Sequence, residues 1–309
     1  MSHSLVRRPT AIIGAGAVGQ ALACALASHN VPLTSIISRT EPKAEALARK
    51  VGVQHYSATC ADVPTATERM LICVPDDEIA AVARAFVPFV KEQPSCIVAH
   101  TSGAHPAQVM QPLKEVGAQL LSMHPLQTFT PQTSPQALHG IQITLEGDTK
   151  ACAYGEALAQ HLGARPVRIT TEAKPLYHLT AVLASNGLVA LLAVAQHIWQ
   201  EAGLDPSTVF EALQPLVDTT WANVQEHGTA ALTGPAARGD TATIETHLHA
   251  LSHTEQAALH FDVYKALTTV MVRLQQDEVD ISRRSATPIE TMLQAHDWRQ
   301  EEQKDAQET

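Results

Sequence analysis

The sequence lacks three features that would assign it to common protein classes. Its five cysteines, Cys24, Cys60, Cys73, Cys96 and Cys152, are odd in number and without paired spacing, which favours buried free thiols over a disulfide framework. Residues 1–8 contain no apolar run of the kind found in signal peptides. No stretch of about 18 residues is apolar without polar interruption, so no membrane association is predicted. These absences predict a cytoplasmic protein.

The chain is also short of positive charge. Its formal net charge is −10 and only 17% of its residues are charged, whereas nucleic-acid-binding proteins usually carry a basic patch or stripe. No nucleic-acid partner is therefore expected. The chain is long enough, at 309 residues with 45% apolar content, to form about two domains with sizeable cores.

The first half alternates short apolar runs with helical patterns. Strands are predicted at Thr10 to Ile13, Leu33 to Ile37, Met70 to Val74, Ser95 to Ala99, Gln119 to Met123, Ile141 to Leu145 and Pro166 to Ile169. Helices are predicted at Val18 to His29, Glu41 to Lys50, Glu78 to Val90, Pro106 to Val116 and Ala151 to Leu162. This alternation predicts an α/β domain over residues 1–170, with a doubly wound, mostly parallel sheet.

The second half has a different pattern. Long helices are predicted at Leu176 to Ala202, Thr208 to His227, Thr241 to Leu251 and Thr254 to Gln275, which indicates an all-α domain over residues 171–285. Several of these helices are apolar over wide faces, so we expect burial against the first domain and against a partner subunit in a homodimer. Residues 286–309 are polar and charged and are predicted to form a weakly ordered tail.

A glycine-rich turn follows the first strand and opens the first helix. The run is Gly14, Ala15, Gly16, Ala17, Val18 and Gly19, which has the GxGxxG spacing of Rossmann dinucleotide-binding domains. The first glycine permits the tight turn, the second lets the backbone approach a pyrophosphate, and the third lets the helix pack close to the strand. The free N–H groups of the helix N-terminus then attract the phosphates.

The end of the second strand indicates which dinucleotide is bound. NAD sites usually have an Asp or Glu there, whereas this chain has Ser38, Arg39 and Thr40. Arg39 can pair with a 2′-phosphate and the hydroxyls can donate to it, so NADP(H) is the predicted cofactor. Val74 and Pro75, at the end of a neighbouring strand, are expected to contact the cofactor as well. Asp76 and Asp77 are interpreted as helix caps.

Polar residues after two later strands are candidates for chemistry. Ser102, in the run His100 to Gly103, could bind substrate or the nicotinamide amide, or could cap a loop. His124 precedes Pro125 and is a candidate proton donor, with a structural role as the alternative. On the long helix, His178, Ser185 and Asn186 share one face at ideal helical spacing. Because buried polar groups are costly without partners, His178 and Asn186 are interpreted as functional, with a satisfied structural role as the alternative.

The loop and helix near residue 240 supply further candidates. Arg238 could bind a substrate carboxylate, and Asp240 could cap the next helix, orient a histidine, or do both. His247 could face the substrate cleft. Although His249 and His253 are four residues apart, no carboxylate or cysteine completes a ligand set, so no metal site is predicted.

With these residues identified, the chain resembles a family of bacterial proteins in which a Rossmann-like domain precedes a helical domain of unknown function. This family is related to deazaflavin-dependent NADP reductases, pyrroline-5-carboxylate reductases and ketopantoate reductases. The matching strings are IIGAGAVGQALA, CVPDDEI, HTSG, SMHPLQTF, LYHLTAVLASN and ALTGPAARGD followed by HL, which span roughly residues 10 to 250 in order.

More distant relatives imply roles for individual residues. Ketopantoate reductases carry a catalytic lysine eight residues before an asparagine, and His178 and Asn186 have that separation here. Their acidic residue on a later helix corresponds loosely to Asp240. Prephenate dehydrogenases have a similar His-Pro string and a serine one strand earlier, which match His124 and Ser102.

The sequence thus predicts an NADP(H)-dependent oxidoreductase acting on a small oxo or hydroxy acid. Ketopantoate-like reduction is the leading interpretation, and oxidative decarboxylation of a prephenate-like acid is the second. His178 or His124 would donate the proton and Asn186 and Ser102 would hold the oxygen. A protein that binds NADPH without turnover, as a sensor or scaffold, is the alternative from another class.

Overall fold

The computed structural model of the chain describes residues 6–275 and 287–296. Eight strands form one sheet in the order β3-β2-β1-β4-β5-β6-β7-β8. Their bounds are β1 Thr10–Ile13, β2 Leu33–Ile37, β3 Tyr56–Ser57, β4 Arg69–Ile72, β5 Ile97–His100, β6 Gln119–Pro125, β7 Gln142–Gly147 and β8 Arg165–Arg168. Neighbouring strands are parallel except β6 and β7, where Leu121 is opposite Gly147.

The helices are distributed as the sequence pattern predicts. Six follow the strands of the sheet: α1 Ala17–Ser28, α2 Glu41–Val51, α3 Ile79–Ala85, α4 Val87–Glu92, α5 Gln111–Lys114 and α6 Thr149–His161. The others belong to the second half: α7 Lys174–Val182, α8 Leu188–Glu201, α9 Val209–His227, α10 Pro235–Arg238, α11 Thr241–Ser252, α12 Ala257–Gln275 and α13 Pro288–Ala295. The predicted fold class, a mostly parallel α/β domain followed by helices, is confirmed.

Apolar side chains cover both faces of the sheet. Ile12 of β1 belongs to a cluster that includes Leu22 and Leu26 of α1, whereas Ile13 belongs to a second cluster that includes Ile79 and Phe86. Because successive side chains of a strand point to opposite faces, β1 contributes to both cores. The sheet is therefore buried on both sides, as doubly wound sheets are.

Two predicted helices differ from the structure because of proline. The helix predicted from Glu78 to Val90 is divided into α3 and α4, and Pro88 lies in the first turn of α4. The helix predicted from Pro106 to Val116 is a 3₁₀ turn followed by the short α5, with Pro112 in its first turn. Proline lacks the N–H that a helix interior requires and clashes with the preceding turn.

The two edges of the sheet are formed by short strands. At one edge, β3 has only two residues. At the other, β8 has the sequence Arg-Pro-Val-Arg, and both of its arginines are exposed. Arg168 pairs with Glu156 of α6, while Arg165 donates to the carbonyl oxygen of Gly140.

A continuous helical segment runs from Lys174 to Glu201 and contains α7, a π-helical turn at Leu183–Gly187, and α8. Its 28 residues and mean hydropathy of 1.8 are sufficient for a membrane span by length and composition alone, and none of its most apolar window is buried. The sequence predicts a helix from Leu176 to Ala202 but no membrane span, because scattered polar residues interrupt its apolar pattern. One apolar helix is weak evidence for a membrane, since core and interface helices have the same composition.

The chain divides by its internal contacts into two compact units, residues 1–186 and 187–309. The first unit therefore includes α7, beyond the predicted boundary at residue 170. In the second unit, α11, α12 and α13 form a core that contains Leu248, Phe261 and Leu293. Helix α13 begins with a capping box between Thr287 and Glu290. These residues lie in the predicted polar tail but form a packed helix, because the buried Ile289 and Leu293 are one turn apart; the rest of that tail lies outside the described residues.

Candidate active site

A cleft of about 380 Å³ lies at the carboxyl ends of β1, β2 and β4. Its lining contains the predicted cofactor residues Gly14, Ala15, Gly16, Ser38, Arg39, Thr40, Val74 and Pro75. Open parallel sheets bind nucleotides at this edge, beyond the strand ends. The other predicted cofactor residues form the first turn of α1, directly after Gly16: Ala17, Val18 and Gly19.

The glycine turn has the close packing that its spacing predicts. Gly14 has a φ of +108°, and an added Cβ there would lie 2.4 Å from the carbonyl oxygen of Cys73. A Cβ at Gly19 would lie 2.0 Å from the carbonyl oxygen of Gly14, so only glycine lets α1 approach the turn. At Gly16 an added Cβ would meet nothing within 4 Å, which leaves open space over the turn for a ligand. No side chain caps the N-terminus of α1.

The end of β2 carries the polar groups predicted to recognise a 2′-phosphate. Arg39 is exposed, and its Nη1 lies 2.7 Å from Oε1 of Glu78 on the opposite wall of the cleft. Lys43, in the first turn of α2, also lines the cleft. The sequence interpretation missed Lys43 and Glu78. Lys43 is four residues after Arg39, so the sequence alone could have indicated a second basic group at this position. Glu78 is far from Arg39 in sequence, and only the strand order β2-β1-β4 brings it to the same cleft.

The loops after β4 and β5 are joined by a hydrogen bond from the Ser102 hydroxyl to Oδ2 of Asp76, at 2.8 Å. The same hydroxyl oxygen accepts from the backbone N–H groups of Ala104 and His105. Ser102 is only 5% exposed. Its observed bonds are those of a loop cap, the structural alternative to a substrate contact. The sequence predicts Asp76 as a helix cap, but its side chain makes no capping hydrogen bond. It accepts the hydrogen bond of the Ser102 hydroxyl instead.

His124 is placed by β6 beside Tyr177 of α7. Its Nδ1 lies 2.8 Å from the Tyr177 hydroxyl oxygen, and the two rings meet edge to face. Burial lowers the pKa of His124 to about 4, and electrostatic interactions with Lys174 and then with His178 add to the shift. The imidazole is therefore neutral near pH 7, so one ring nitrogen donates and the other accepts. Burial also raises the pKa of Tyr177, so the phenol is protonated in the resting site.

Gly103 lies between the His124 and His178 rings. A Cβ added to Gly103 would lie 2.8 Å from Cδ2 of His178 and 2.9 Å from Nε2 of His124. The centroids of the two imidazoles are 6.4 Å apart. The structure thus brings both predicted histidines to one glycine loop. Among the described residues, the His178 ring has no hydrogen-bond partner.

Lys174, in the first turn of α7, is the main residue that the sequence interpretation missed. It is 1% exposed, and its Nζ donates to the Ser122 hydroxyl at 2.8 Å and to the carbonyl oxygen of Ser102 at 3.4 Å. Burial lowers the pKa of the ammonium group, while the charges of Glu146 and Asp76 oppose that shift. Lysines at helix starts are usually exposed, and the strands that bury this one are distant in sequence.

His100 and Glu146 make hydrogen bonds to the loop after β5 and to the segment before α7. His100 is fully buried; its Nδ1 accepts from the backbone N–H of Ser102, while its Nε2 donates to the carbonyl oxygen of Pro106. Burial lowers the pKa of His100 to about 4. Glu146 of β7 accepts from the Thr171 hydroxyl and from the backbone N–H of Ala107. These bonds fix the loop after β5 and the approach to α7.

Asn186 lies four residues beyond the end of α7, the helix that carries His178. It is exposed and lies in the π-helical turn that begins at Leu183. The π turn contains an extra residue, which changes the angular spacing between His178 and the residues after Val182. The shared face of His178, Ser185 and Asn186 therefore stays a prediction.

Three predicted site residues lie in the second unit. Arg238 is exposed at the end of α10. Asp240 caps α11, because its Oδ1 accepts from the backbone N–H of Thr243 and its Oδ2 from the Thr243 hydroxyl. His247 is exposed, and its Nδ1 lies 2.8 Å from the Tyr264 hydroxyl. In the ranges that the structure describes, no group of three or more His, Cys, Asp or Glu side chains is arranged to hold a metal ion.

The arrangement in the first unit can hold a dinucleotide and transfer a proton. The glycine turn and the polar end of β2 form the cleft, and the Asp76–Ser102 bond connects its wall to the loop beneath His124. His124 is a neutral imidazole with a phenol on one nitrogen and a glycine loop beside the other. Such a group exchanges a proton with a ligand without first acquiring a charge.

Comparison with known proteins supports this architecture. Residues 4–125 match the family model of a Rossmann-like domain, and residues 141–271 match the domain of unknown function DUF2520. No curated protein matches the chain. A Bacteroides fragilis protein provisionally described as an NADP oxidoreductase is 27% identical, with a TM-score of 0.74, and the match covers 87% of this chain and 99% of that one.

Two enzymes of lower identity share the fold. An imine reductase from Myxococcus stipitatus in complex with NADP+ is 16% identical, with a TM-score of 0.64 and coverage of 86% and 93% of the two chains. A reductive aminase from Aspergillus terreus in complex with NADPH and ethyl-5-oxohexanoate is 20% identical, with a TM-score of 0.58 and coverage of 89% and 97%. The two matched models, Rossmann-like and then DUF2520, occur along the chain in the combination that its sequence resembles.

Proposed function

We propose that this protein is an NADP(H)-dependent oxidoreductase that reduces a carbon–oxygen or carbon–nitrogen double bond of a small molecule. One observation carries the proposal: the dinucleotide cleft and the His124–Tyr177 pair lie at the same carboxyl edge of the sheet, joined by the Ser102–Asp76 bond. The similarity to the Bacteroides fragilis protein agrees with it.

The residues of the cleft suit an NADP(H) molecule. The open space over Gly16 accepts a pyrophosphate, and the uncapped start of α1 attracts it. Ser38, Arg39, Thr40 and Lys43 would hold the 2′-phosphate, and Val74 and Pro75, which line the cleft at the neighbouring strand end, would contact the cofactor. When bound, the reduced cofactor supplies a hydride.

His124 supplies the proton. In the tautomer that accepts from the Tyr177 hydroxyl at Nδ1, the imidazole carries its hydrogen on Nε2, the atom that faces the Gly103 loop. Nε2 donates that proton to the oxygen or nitrogen that gains negative charge, and Nδ1 accepts the phenolic proton. The ring thus remains neutral, as its low pKa requires. Solvent then protonates Nε2 and Nδ1 returns its proton to the Tyr177 phenolate, which restores the starting tautomer.

Several buried groups position this pair without contacting the substrate. Lys174 connects the first turn of α7, which carries Tyr177 one turn later, to Ser122 of β6. Ser102 stabilises the loop that contains Gly103.

His178 is the second candidate donor, because its ring has no protein hydrogen-bond partner among the described residues.

The proposed substrate is a small oxo acid. Arg238 and His247 are the residues proposed from the sequence to bind it, with Arg238 on its carboxylate, and Asn186 is the one proposed for its carbonyl oxygen. Ketopantoate-like reduction is the first candidate reaction, and oxidative decarboxylation of a prephenate-like acid is the second. Imine reductases and a reductive aminase share the fold, so imines belong among the substrates tested.

We further propose that the protein is a cytoplasmic homodimer. The long helices of the second half expose large apolar side chains, including Val189, Leu216 and Trp221, which are 63–68% exposed. A monomer would leave these side chains in contact with water, whereas an obligate dimer would bury them.

The test is consumption of NADPH and NADH against a panel of oxo acids, ketones and cyclic imines. We expect turnover with NADPH, a loss of at least about 100-fold in kcat for His124→Ala, and a smaller loss for His178→Ala. If His178→Ala is the inactive variant and His124→Ala is not, the donor assignment is wrong. Tight NADPH binding without turnover on any substrate would contradict the enzyme and favour a sensor or scaffold.

A further inference from the structure

The ion pair between Arg39 and Glu78 spans the cleft at the end predicted to take the 2′-phosphate. Arg39 follows β2, whereas Glu78 precedes α3 beyond β4, and both side chains line the cleft. The Arg39 side chain is 82% exposed and that of Glu78 37% exposed. The contact therefore lies at the mouth of the cleft, where a ligand reaches it.

The side chains of the other hydrogen-bond donors at this end of the cleft have no partner among the described residues. In the described parts of the chain, the Ser38 and Thr40 hydroxyls have no intramolecular hydrogen bond, and the Lys43 ammonium has no ion pair. Arg39, the group best suited to a bidentate phosphate contact, is instead bound to a carboxylate. A phosphate that binds the Nη1 donor must replace Glu78 as its partner.

We propose that Glu78 is a specificity-determining residue that weakens the preference of this cleft for a 2′-phosphorylated dinucleotide. It does so in two ways, because its carboxylate competes for Arg39 and also repels the phosphate. The inference rests on the proposed NADP(H) function and adds a residue that weakens binding of the 2′-phosphate.

The same carboxylate suits the unphosphorylated cofactor. NAD-binding Rossmann domains hold the ribose 2′-hydroxyl with an Asp or Glu at the end of the second strand, a position occupied by polar and basic residues here. Glu78 offers a carboxylate from the opposite wall. It would accept a hydrogen bond from a 2′-hydroxyl while Arg39 stays paired, so NADH binding is retained alongside NADPH binding.

Calorimetric titration with 2′-phospho-ADP-ribose and with ADP-ribose tests the role of Glu78 without nicotinamide chemistry. The proteins compared are the wild type, Glu78→Gln, Arg39→Ala, the double variant, and Glu45→Gln as the matched control. Glu45 pairs with Arg49 on α2 and does not line the cleft, so its substitution changes the net charge equally.

We expect Glu78→Gln to bind 2′-phospho-ADP-ribose about threefold to tenfold more tightly, a modest gain because exposed ion pairs are weak. Binding of ADP-ribose should not tighten, and Glu45→Gln should leave both affinities unchanged. In the Arg39→Ala background the gain from Glu78→Gln should shrink, because no arginine remains to be released.

Unchanged or weaker binding of 2′-phospho-ADP-ribose by Glu78→Gln would overturn the inference and leave Glu78 as a support for Arg39. An equal gain in Glu45→Gln would also overturn it, since net charge alone would then explain the effect. Failure of the wild type to bind NADPH or either probe would instead refute the proposed function.

Discussion

At the scale of single residues, the hydroxyl of Tyr177 is the most direct test of the proposed proton path. Tyr177→Phe keeps the ring against His124 but removes the 2.8 Å contact to Nδ1, so the Nε2–H tautomer loses its stabilisation. We expect kcat to fall by about 10-fold to 100-fold, with little change in the KM for NADPH. Steady-state kinetics measures both.

Tyr56→Phe is the control for that variant, because the Tyr56 hydroxyl binds Glu45 away from the histidines. A Tyr177→Phe enzyme with the kcat of the wild type would show that His124 works without its phenol partner.

His100 makes the stability of the first unit dependent on pH. An unfolded histidine has a pKa of about 6.5, whereas burial lowers the pKa of His100 in the fold to about 4. The unfolded state therefore binds the proton more readily. The contribution of the neutral ring is complete above about pH 6.5 and is lost as pH falls toward 4, by up to roughly 3 kcal/mol.

Urea unfolding of the wild type and His100→Asn over this pH range measures the effect. The variant should be less stable at pH 7, because two hydrogen bonds are lost, but its free energy of unfolding should depend less on pH. His227→Gln, at an exposed position, should keep the slope of the wild type. Equal slopes in all three proteins would remove His100 as the cause.

At the scale of secondary-structure elements, α7 determines the electrostatics of the site through its first turn. The buried Lys174 lowers the pKa of His124, second only to burial itself. Lys174→Met keeps most of the side-chain volume and removes the charge. We expect the pKa of His124, followed by NMR titration of its ring protons, to rise but to stay below the ordinary histidine value of about 6.5, because desolvation persists. An unchanged titration would show that Lys174 acts only through packing.

The same element shows what the sequence could predict about this fold. Alternating apolar runs predict most of the strands, and GxGxxG predicts the turn that lines the cleft, because these signals depend on neighbouring residues. The burial of Lys174 depends on Ser122 and Ser102, which are 52 and 72 residues away in the chain, so no local pattern reports it. The π-helical turn likewise has no signature in the apolar pattern. His124 was identified, whereas its partner Tyr177 was not.

At the scale of the whole molecule, the exposed apolar helices predict association. Leu216→Glu places a charge on α9 at a side chain that is 63% exposed in the single chain. If this surface is a dimer interface, the variant should sediment as a monomer, because a desolvated charge without a partner costs several kcal/mol. Analytical ultracentrifugation against the wild type measures this. Ala81→Glu, an exposed change on α3, should leave the oligomeric state unaltered; a wild type that is already monomeric would contradict the proposal.

The edges of the sheet limit how such association can proceed. A long, flat strand edge offers unpaired N–H and C=O groups on which further chains can polymerise, but β3 is two residues long and β8 carries Pro166 between two arginines. Proline removes a donor from the ladder, and like charges repel a second copy of the strand. The sheet edges therefore do not recruit further chains into a fibril. Association through the helices can stop at a defined number of subunits.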